Sequence, residues 1–340
     1  MERTKPIRIL AVSIVLSIAM GGSQAAGSAL SPSDILRQQG FAVYQWHGVT
    51  QPAASVTGTR LRFLKDRGFK AVYLDFSGYL GLTELNESKA RQASLDRANT
   101  GVRSLVAGAS RLGLTVHAVG GGPTWTTASR RYLGPKLIRL VAGYNATAPP
   151  AGRLSGVQFD IEPYLDPSFS KDTQSALLDY LETLQGIVRE YRRQGNRPAN
   201  RNLRLGFAIP FWFDGAEGAP SAVSFNGPTK PAAYHLIDML KDLPSAYIVV
   251  MSYRNFTSGE DGSIAHAANE FAYARSVAAR CGLVVGQEFG RVQPAKVTFN
   301  VLGRRAFRRA AEQIAAVYGR FPQFRGLSVN DLDSYAASKE

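Results

Sequence analysis

The feature that most constrains the fold is residues 154–164, LSGVQFDIEPY, in which apolar and polar side chains alternate. Successive side chains of a β-strand point to opposite faces, so three apolar residues face one way and three polar residues face the other. Proline cannot donate to a sheet ladder, so Pro163 predicts that the strand ends at Glu162. The apolar row is Val157, Phe159 and Ile161, and the polar row is Gln158, Asp160 and Glu162.

Strand patterns and helix patterns alternate along the whole chain, and glycines such as Gly68, Gly113 and Gly195 close several of the helices. Eight such units predict an α/β fold of the (β/α)8 TIM-barrel class, with a doubly wound open sheet as the alternative. The predicted strands are 40–48, 69–77, 114–119, the stretch that ends at 162, 203–213, 246–255, 283–290 and 324–332. The predicted helices are about 59–67, 89–111, 135–144, 173–194, 232–243, 264–280 and 304–318.

The first 25 residues have the pattern of a cleavable signal peptide. Arg3, Lys5 and Arg8 precede the apolar run 9–20, which is too short to span a bilayer, and the small-x-small sequence Ser23-Gln-Ala25 follows it. We therefore predict that residues 1–25 are removed and that residues 26–340 form a single barrel catalytic domain. The mature protein is expected to be secreted or periplasmic and to have no membrane span.

The formal net charge of +14 favours an anionic partner. For an exported protein, an anionic polysaccharide, a cell-wall polymer or a membrane surface fits better than nucleic acid, although a generally basic proteome explains the charge equally well. The chain has 4 histidines and neither a His-x-His nor a His-Glu-x-x-His sequence, so we predict no metal site and no cofactor.

Aromatic residues mark the predicted carboxyl ends of the strands, where barrel enzymes place their active sites. Trp46 ends the first strand, Trp125 follows the third and Trp212 lies on the fifth. Flat indole rings suit stacking against the C–H faces of sugars, so these three residues are predicted to bind substrate. Simple capping of the barrel core is the alternative interpretation.

Carboxylates occupy the same predicted strand ends: Asp75, Asp160, Glu162, Glu288 and Asp331. Paired carboxylates across a cleft are what cleavage of a glycosidic bond requires, because one protonates the leaving oxygen and the other stabilises or attacks the anomeric carbon. Repulsion from Asp160 on the same face is expected to raise the pKa of Glu162 and prepare it as a general acid. His47, near the end of the first strand, is a further candidate for substrate contact.

The stretch Ser155-Gly-Val-Gln-Phe-Asp160-Ile-Glu162 resembles the fourth-strand signature Asp-Gly-x-Asp-x-Asp-x-Glu of the family-18 glycoside hydrolases, which are chitinase-like barrels. Met251-Ser-Tyr253 similarly resembles that family's sixth-strand Met-x-Tyr-Asp. The resemblance implies that Glu162 is the general acid, that Asp160 orients the substrate's acetamide group and that Tyr253 hydrogen-bonds to it.

The sequence departs from that signature at three positions. Ser155 and Gln158 stand where the family has its first two aspartates, and Arg254 replaces the aspartate after the tyrosine. We predict that Arg254 binds an acidic group on the sugar. Glu162 and Glu288 also resemble the acid/base and nucleophile of the large clan of retaining barrel glycosidases, so both mechanisms remain open.

Two other classes of function also remain open at this stage. A secreted carbohydrate-binding barrel that has lost catalysis would keep the same fold, since fold alone does not determine activity. A barrel recruited to a structural role in the cell envelope would neither bind nor cleave glycans. The sequence best fits an exported glycoside hydrolase that acts on a cell-wall, capsular or biofilm polysaccharide.

Overall fold

The computed structural model describes residues 30–47, 58–218 and 221–340. The predicted signal peptide and Gly48, at the end of the predicted first strand, lie outside these ranges. Ser31–Glu340 form one compact unit. Its strands are β1 Phe41–Gln45, β2 Phe69–Asp75, β3 Thr115–Gly120, β4 Gly156–Phe159, β5 Arg204–Pro210, β6 Ala222–Ser224, β7 Thr229–Pro231, β8 Ala246–Met251, β9 Gly282–Glu288 and β10 Phe324–Asn330.

The described helices surround these strands. They are α1 Pro32–Gln39, α2 Gly58–Asp66, α3 Ser77–Glu84, α4 Lys89–Arg111, α5 Leu133–Thr147, α6 Thr173–Gly195, α7 Ala232–Leu240, α8 Ala265–Ser276, α9 Arg304–Tyr318 and α10 Leu332–Ala337. Several begin at a side-chain cap that satisfies a free backbone N–H, such as Ser88 before α4 and Asp172 before α6. Gly68 and Gly113 have positive φ angles of 83° and 70°, as expected for residues that end a helix and turn into a strand.

Eight parallel strands close into a barrel in the order β1-β10-β9-β8-β5-β4-β3-β2. The predicted (β/α)8 barrel is therefore confirmed, and the open sheet is excluded. β6 and β7 form a separate antiparallel hairpin within the connection between β5 and α7. Because every barrel strand runs in the same direction, all the carboxyl ends meet at one mouth and all the amino ends at the other.

The alternation predicted for β4 holds in the structure. Val157, Phe159 and Ile161 are buried in the apolar layer between the strands and the helices. Gln158 points into the barrel, where its Nε2 donates to the Tyr44 hydroxyl over 2.5 Å. A second apolar cluster fills the barrel interior, and its buried members are Ala42, Tyr44, Tyr73, Val119, Ala208, Tyr247, Val249, Met251 and Val284.

Several boundaries differ from those predicted. β4 ends at Phe159 rather than at Glu162, because the backbone of Glu162 (φ −113°, ψ 72°) already leads into a 3-10 turn over Pro163–Leu165. Asp160 and Glu162 therefore lie on the loop at the rim. Helices α1, α3 and α10 and the β6–β7 hairpin were not predicted. Among the described residues, no helix is both long enough and apolar enough to cross a membrane.

Candidate active site

A cavity of about 350 Å³ opens at the carboxyl end of the barrel. We call it the acidic cavity because three of its lining residues, Asp75, Asp160 and Glu162, carry carboxylates. The other residues that line it are Trp46, Ser77, Gly120, Gly121 and Gly122. Four of the residues predicted from sequence for the site, one of them aromatic, are thus brought together around one space.

Glycine at position 121 allows the end of β3 to lie directly against the backbone that carries Asp160. A Cβ atom at Gly121 would be 1.9 Å from the carbonyl oxygen of Asp160 and 2.9 Å from its nitrogen. These distances are too short for any side chain, so only glycine fits at this position. The Asp160 N–H donates to the carbonyl oxygen of Gly120 over 3.0 Å. This close backbone contact fixes the position of Asp160 one residue beyond the strand.

Asp160 and Glu162 interact strongly with each other. Burial and the negative charge of Glu162 raise the pKa of Asp160 well above its ordinary value. Burial also raises the pKa of Glu162, although a hydrogen bond donated by the Tyr164 hydroxyl to Glu162 Oε1 opposes the shift. Asp160 Oδ1 is buried with no hydrogen-bond partner among the described residues, which favours a proton on this pair.

Tyr253 lies inside the barrel next to the carboxylates. Burial, followed by the charges of Glu288, Asp160 and Glu162, raises its pKa well above the ordinary value for tyrosine. Tyr253 therefore keeps its proton, and its hydroxyl is a neutral donor near all three acids. The structure thus places the four residues predicted as catalytic in one region of the mouth.

Glu288, at the end of β9, is held by donors from two directions. Its Oε2 accepts a hydrogen bond from Asn330 Nδ2 over 2.7 Å, and its Oε1 accepts one from the backbone N–H of Gly290. Burial raises the pKa of Glu288, and these hydrogen bonds partly offset the increase. Asn330 also accepts a hydrogen bond from Trp46 Nε1 over 2.6 Å, so one side chain links the acid to an aromatic wall of the acidic cavity.

Trp46 is the tryptophan that lines the acidic cavity, and 37% of its surface is exposed. Its ring stacks on that of Tyr44, with centroids 5.1 Å apart and planes 14° from parallel. Tyr44 is itself fixed by the hydrogen bond from Gln158. The indole is thus held in a defined orientation by contacts with its ring and its nitrogen.

The other two tryptophans take different positions. Trp125 is buried and packs edge-on against Phe159, with centroids 6.5 Å apart, next to Gly120 and Gly122. Trp212 is half-buried and lies edge-on to Tyr164, with centroids 5.1 Å apart. Since Tyr164 binds Glu162, Trp212 supports the acid through that tyrosine, whereas Trp125 packs between the barrel and its helices.

Three further candidates lie around the rim. Asp75 lines the acidic cavity and accepts a hydrogen bond from the backbone N–H of Ser77 over 2.8 Å. Asp331 caps the start of α10, where Ser334 donates to it through its backbone N–H over 2.9 Å. The side chain of His47 is 71% exposed, and its Nε2 lies 3.5 Å from Asp333 Oδ2. The other carboxylate oxygen of Asp333, Oδ1, is paired with Arg60.

Arg254 is buried and already paired. Its Nε donates to Asp261 Oδ1 over 2.7 Å, and its second terminal nitrogen lies 2.6 Å from the same oxygen. A third nitrogen donates to the carbonyl oxygen of Tyr253 over 2.8 Å. The guanidinium therefore fixes the backbone beside Tyr253, and its charge is balanced within the protein.

Three contributors to the site were missed by the sequence patterns: Tyr164, Asn330 and Gly121. Tyr164 follows Glu162 by two residues, and Asn330 directly precedes the predicted Asp331. Both residues lie at strand ends, which is a usable signal. They are neither carboxylates nor tryptophans, the residue types on which the predictions of the site mainly depend. Gly121 carries no sequence signal beyond a run of glycines, because a close backbone contact leaves no trace in composition.

No protein-family model and no curated protein sequence matches this chain. Solved structures do share its fold. A glycoside hydrolase family 5 enzyme from Prevotella bryantii, solved with a xyloglucan tetradecasaccharide, is 13% identical with a TM-score of 0.51, over 91% of this chain and 94% of that one.

Two more solved structures match over a similar share of the chain at lower TM-scores. An endo-β-N-acetylglucosaminidase from Cordyceps militaris is 14% identical with a TM-score of 0.49, over 93% of this chain and 90% of that one. A family-18 chitinase from Pseudoalteromonas aurantia is 10% identical with a TM-score of 0.45, over 86% of this chain and 93% of that one. At these identities the likeness is one of fold.

Proposed function

We propose that this protein is an exported glycoside hydrolase that cleaves a polysaccharide at the acidic cavity. The proposal depends on one observation above the others: Asp160 and Glu162, two interacting carboxyl groups, line a cavity at the carboxyl end of the barrel beside the exposed face of Trp46. A carboxyl pair of raised pKa next to a flat aromatic surface fits an enzyme that grips a sugar and protonates its glycosidic oxygen. Export is supported by the sequence pattern of residues 1–25.

The pair can supply the proton that the reaction needs. Burial and mutual repulsion keep one proton on Asp160 and Glu162 at pH values where an exposed carboxyl group is ionised. In the proposed reaction, Glu162 gives this proton to the glycosidic oxygen as the bond to the anomeric carbon breaks. The Asp160 carboxylate then stabilises the positive charge that develops on the sugar, and water completes the hydrolysis.

Two routes are available for attack on the anomeric carbon. Glu288 is the candidate nucleophile, and its carboxylate is oriented by the hydrogen bonds from Asn330 and Gly290. In an N-acetylated substrate, the acetamide oxygen could take this role instead, with Asp160 and Tyr253 as its hydrogen-bonding partners. A glycan without acetamido groups would instead use Glu288, either as the nucleophile of a retaining enzyme or as the base that activates water in an inverting one.

The substrates that best fit the chemistry of the site are cell-wall, capsular or biofilm glycans. Trp46 offers a stacking face, and Tyr253 offers a neutral hydroxyl donor. The solved Prevotella bryantii enzyme, which shares the barrel fold, was crystallised with a xyloglucan oligosaccharide, which supports a glycan as the class of substrate. The pairing of Arg254 with Asp261 means that recognition of an acidic sugar by Arg254 would require exchange of that carboxylate for the one on the substrate.

The proposal is tested by incubating the protein with a panel of cell-wall and capsular glycans and measuring new reducing ends. Glu162→Gln should lower turnover about 10²- to 10⁴-fold, the usual contribution of a general acid, with the fold unchanged by circular dichroism. Glu87→Gln is the matched control, because the Glu87 side chain is 97% exposed, and it should act as the wild type does. Wild-type turnover by Glu162→Gln would disprove the role of Glu162.

A carbohydrate-binding barrel without catalysis is the second candidate function. It is favoured by the side chains at two positions where the family-18 signature has aspartates: Gln158 is uncharged, and Arg254 is neutralised by Asp261. The same glycan panel separates the two candidates. Saturable binding by the wild type with no new reducing ends on any glycan would identify a binding protein and exclude the hydrolase.

A further inference from the structure

A second cavity, of about 330 Å³, lies at the opposite end of the barrel, among residues at the amino ends of the strands. We call it the basic cavity. Its lining includes Lys70, Arg204, Arg325 and His117, and no carboxylate is among the described residues that form it. This end of a (β/α)8 barrel ordinarily contributes to stability rather than to activity, so an open charged space here needs an explanation.

The basic cavity exists because small side chains occupy the lowest layer of the barrel interior. Ala42 and Ala71 face each other on β1 and β2, where branched residues would fill the space. A layer of rings made by Tyr73, His117 and Tyr247 lies above them and closes the cavity from the barrel interior.

Glycines on the neighbouring strands make room for these rings. A Cβ atom at Gly156 would be 2.6 Å from His117 Nδ1, and one at Gly206 would be 2.3 Å from the Tyr247 ring. Larger residues at either position would push the rings out of place. The ring layer above the basic cavity therefore requires glycine at these positions of β4 and β5.

Three cationic side chains converge on this space from strands distant in sequence. Lys70, Arg204 and Arg325 lie at or next to the first residues of β2, β5 and β10. Within the described residues, none of the three forms an ion pair with a carboxylate. Arg325 donates only to backbone oxygens, those of Pro322 over 2.5 Å and Phe324 over 3.0 Å.

The positive charges affect one another and the ring layer. Arg204 and Arg325 both line the basic cavity, and burial, followed by the charge of Arg204, lowers the pKa of Arg325. Burial and Arg204 likewise lower the pKa of His117 to about 3, so its imidazole is neutral. A guanidinium group does not release its proton in a protein, so the positive charge stays at this mouth, where Lys70, Arg204 and Arg325 are exposed and accessible to an anion.

His117 adds a buried polar atom without a partner. The residue is 1% exposed, and its Nδ1 lies 2.8 Å from the Tyr247 hydroxyl. Its Nε2 is buried and has no hydrogen-bond partner among the described residues. The Tyr247 hydroxyl also hydrogen-bonds to Tyr73, so its contact with Nδ1 fits either tautomer of the neutral imidazole. His117 therefore contributes an uncharged polar ring to the lining of the basic cavity.

We propose that the basic cavity binds a small tetrahedral oxyanion, phosphate or sulfate, either free or as a monoester, with Arg204, Arg325 and Lys70 as its charged partners. Guanidinium groups match the geometry of such anions because they can donate two parallel hydrogen bonds. The site is separate from the acidic cavity, so its occupancy does not require a glycan.

The proposal is tested by calorimetric titration of the full chain with inorganic phosphate, sulfate and glycerol 3-phosphate at constant ionic strength in chloride. We expect saturable binding of one anion per chain. Equal or tighter binding of inorganic phosphate identifies a free ion as the ligand, whereas binding of glycerol 3-phosphate alone identifies an esterified one. No saturable binding of any of the three would overturn the proposal.

Substitutions then locate the site. Arg204→Gln and Arg325→Gln should each weaken binding about tenfold or more, since each removes a charge-assisted hydrogen bond. Arg309→Gln is the matched control, because Arg309 is an exposed arginine on α9 outside the basic cavity, and it should bind as the wild type does. Equal weakening by all three variants would show general charge attraction and contradict the site.

A spectroscopic measurement on the wild-type protein tests the site without substitutions, so its result does not depend on whether the variants fold. His117 lines the basic cavity and its imidazole responds to the charge of Arg204, so its ring ¹⁵N signals in the wild-type protein should shift on saturation with the anion. The ring signals of His235 and His266, which lie outside the basic cavity, should not shift. Binding that leaves the His117 signal unmoved would place the anion elsewhere and overturn the assignment.

Discussion

The two ends of the barrel carry clusters of opposite charge. They differ in whether a change of protonation can reduce the repulsion within the cluster. At the carboxyl end, burial raises the pKa of Asp160 and of Glu162, and the negative charge of Glu162 raises that of Asp160 further, so this pair can lose its repulsion by keeping a proton. At the amino end, guanidinium groups keep their protons, so the positive charge of Arg204 and Arg325 persists and favours an anion. One fold thus holds a proposed proton donor at one mouth and a proposed anion site at the other.

The comparison teaches that position along the strand decides which chemistry a barrel residue serves. In a parallel barrel the first residues of every strand meet at one mouth and the last residues meet at the other. Lys70, Arg204 and Arg325 are at strand starts, whereas Asp75 and Glu288 are at strand ends. Residues more than a hundred positions apart in sequence therefore meet in space.

The largest effect should come from the backbone contact that fixes the acidic end. In Gly121→Ala the new Cβ would overlap the Asp160 carbonyl oxygen, so the backbone must shift. We expect a loss of about 1–3 kcal/mol in the free energy of unfolding, as for other overpacked sites, together with a fall in glycan turnover. Denaturant unfolding and reducing-end assays measure the two effects.

Gly143→Ala is the control for this substitution. Gly143 lies in α5, and a Cβ atom added there would have no neighbour within 4 Å. Alanine should therefore stabilise the helix by about 0.5–1 kcal/mol and leave turnover unchanged. If both variants unfold and react alike, the contact between Gly121 and Asp160 does not position the acid.

The second-largest effect is on the pH dependence of stability, which should differ between residues at the two ends of the barrel. The folded pKa of His117, about 3, is below its ordinary value of 6.5, so its contribution to stability is present above pH 6.5 and is lost as the pH falls toward 3. The slope approaches about 1.4 kcal/mol per pH unit, the value for one proton. His117→Phe should remove this acid-side loss in thermal unfolding measured from pH 7 to pH 4.

Asp160 should show the opposite trend. Its folded pKa is raised above the ordinary 3.8, so its stabilising contribution is present at acid pH and is lost as the pH rises through the raised value. Asp160→Asn should therefore gain stability relative to the wild type as the pH increases. A constant difference between the two proteins across this range would contradict a raised pKa.

The smallest effect concerns Tyr164, whose hydroxyl donates to Glu162 and lowers the pKa of that acid. Tyr164→Phe removes this hydrogen bond, so Glu162 should keep its proton to higher pH. We expect the alkaline limb of the pH–rate profile to move to higher pH, with little change in stability. A shift to lower pH would show that the hydroxyl stabilises the protonated acid instead.

The sequence predicted the barrel and the acidic pair because both depend on periodicity. Alternation along residues 154–164 correctly placed Phe159 outside the barrel and Gln158 inside it. It could not show that β4 ends at Phe159, since a strand end depends on the backbone of Glu162 and the following turn.

Contacts between distant residues were beyond the sequence pattern. Trp125 packs against Phe159, which depends on the close approach of the Gly120 and Gly122 backbone to its ring. The hydrogen bond of Asn330 to Glu288 and the convergence of Arg204 with Arg325 both depend on strand order in the closed barrel. Such pairings require the register between strands, which a single sequence does not give.

The state of the carboxyl pair can be observed directly by NMR titration of protein labelled with ¹³C at its aspartate and glutamate carboxyl carbons, with Asp160→Asn and Glu162→Gln to assign the signals. A shared proton predicts that at least one of the two carboxyl groups titrates well above the ordinary carboxyl range, and that replacing either residue changes the titration of the other. Independent titration of both groups at ordinary carboxyl pKa values would contradict the proposed acid at the carboxyl end of the barrel.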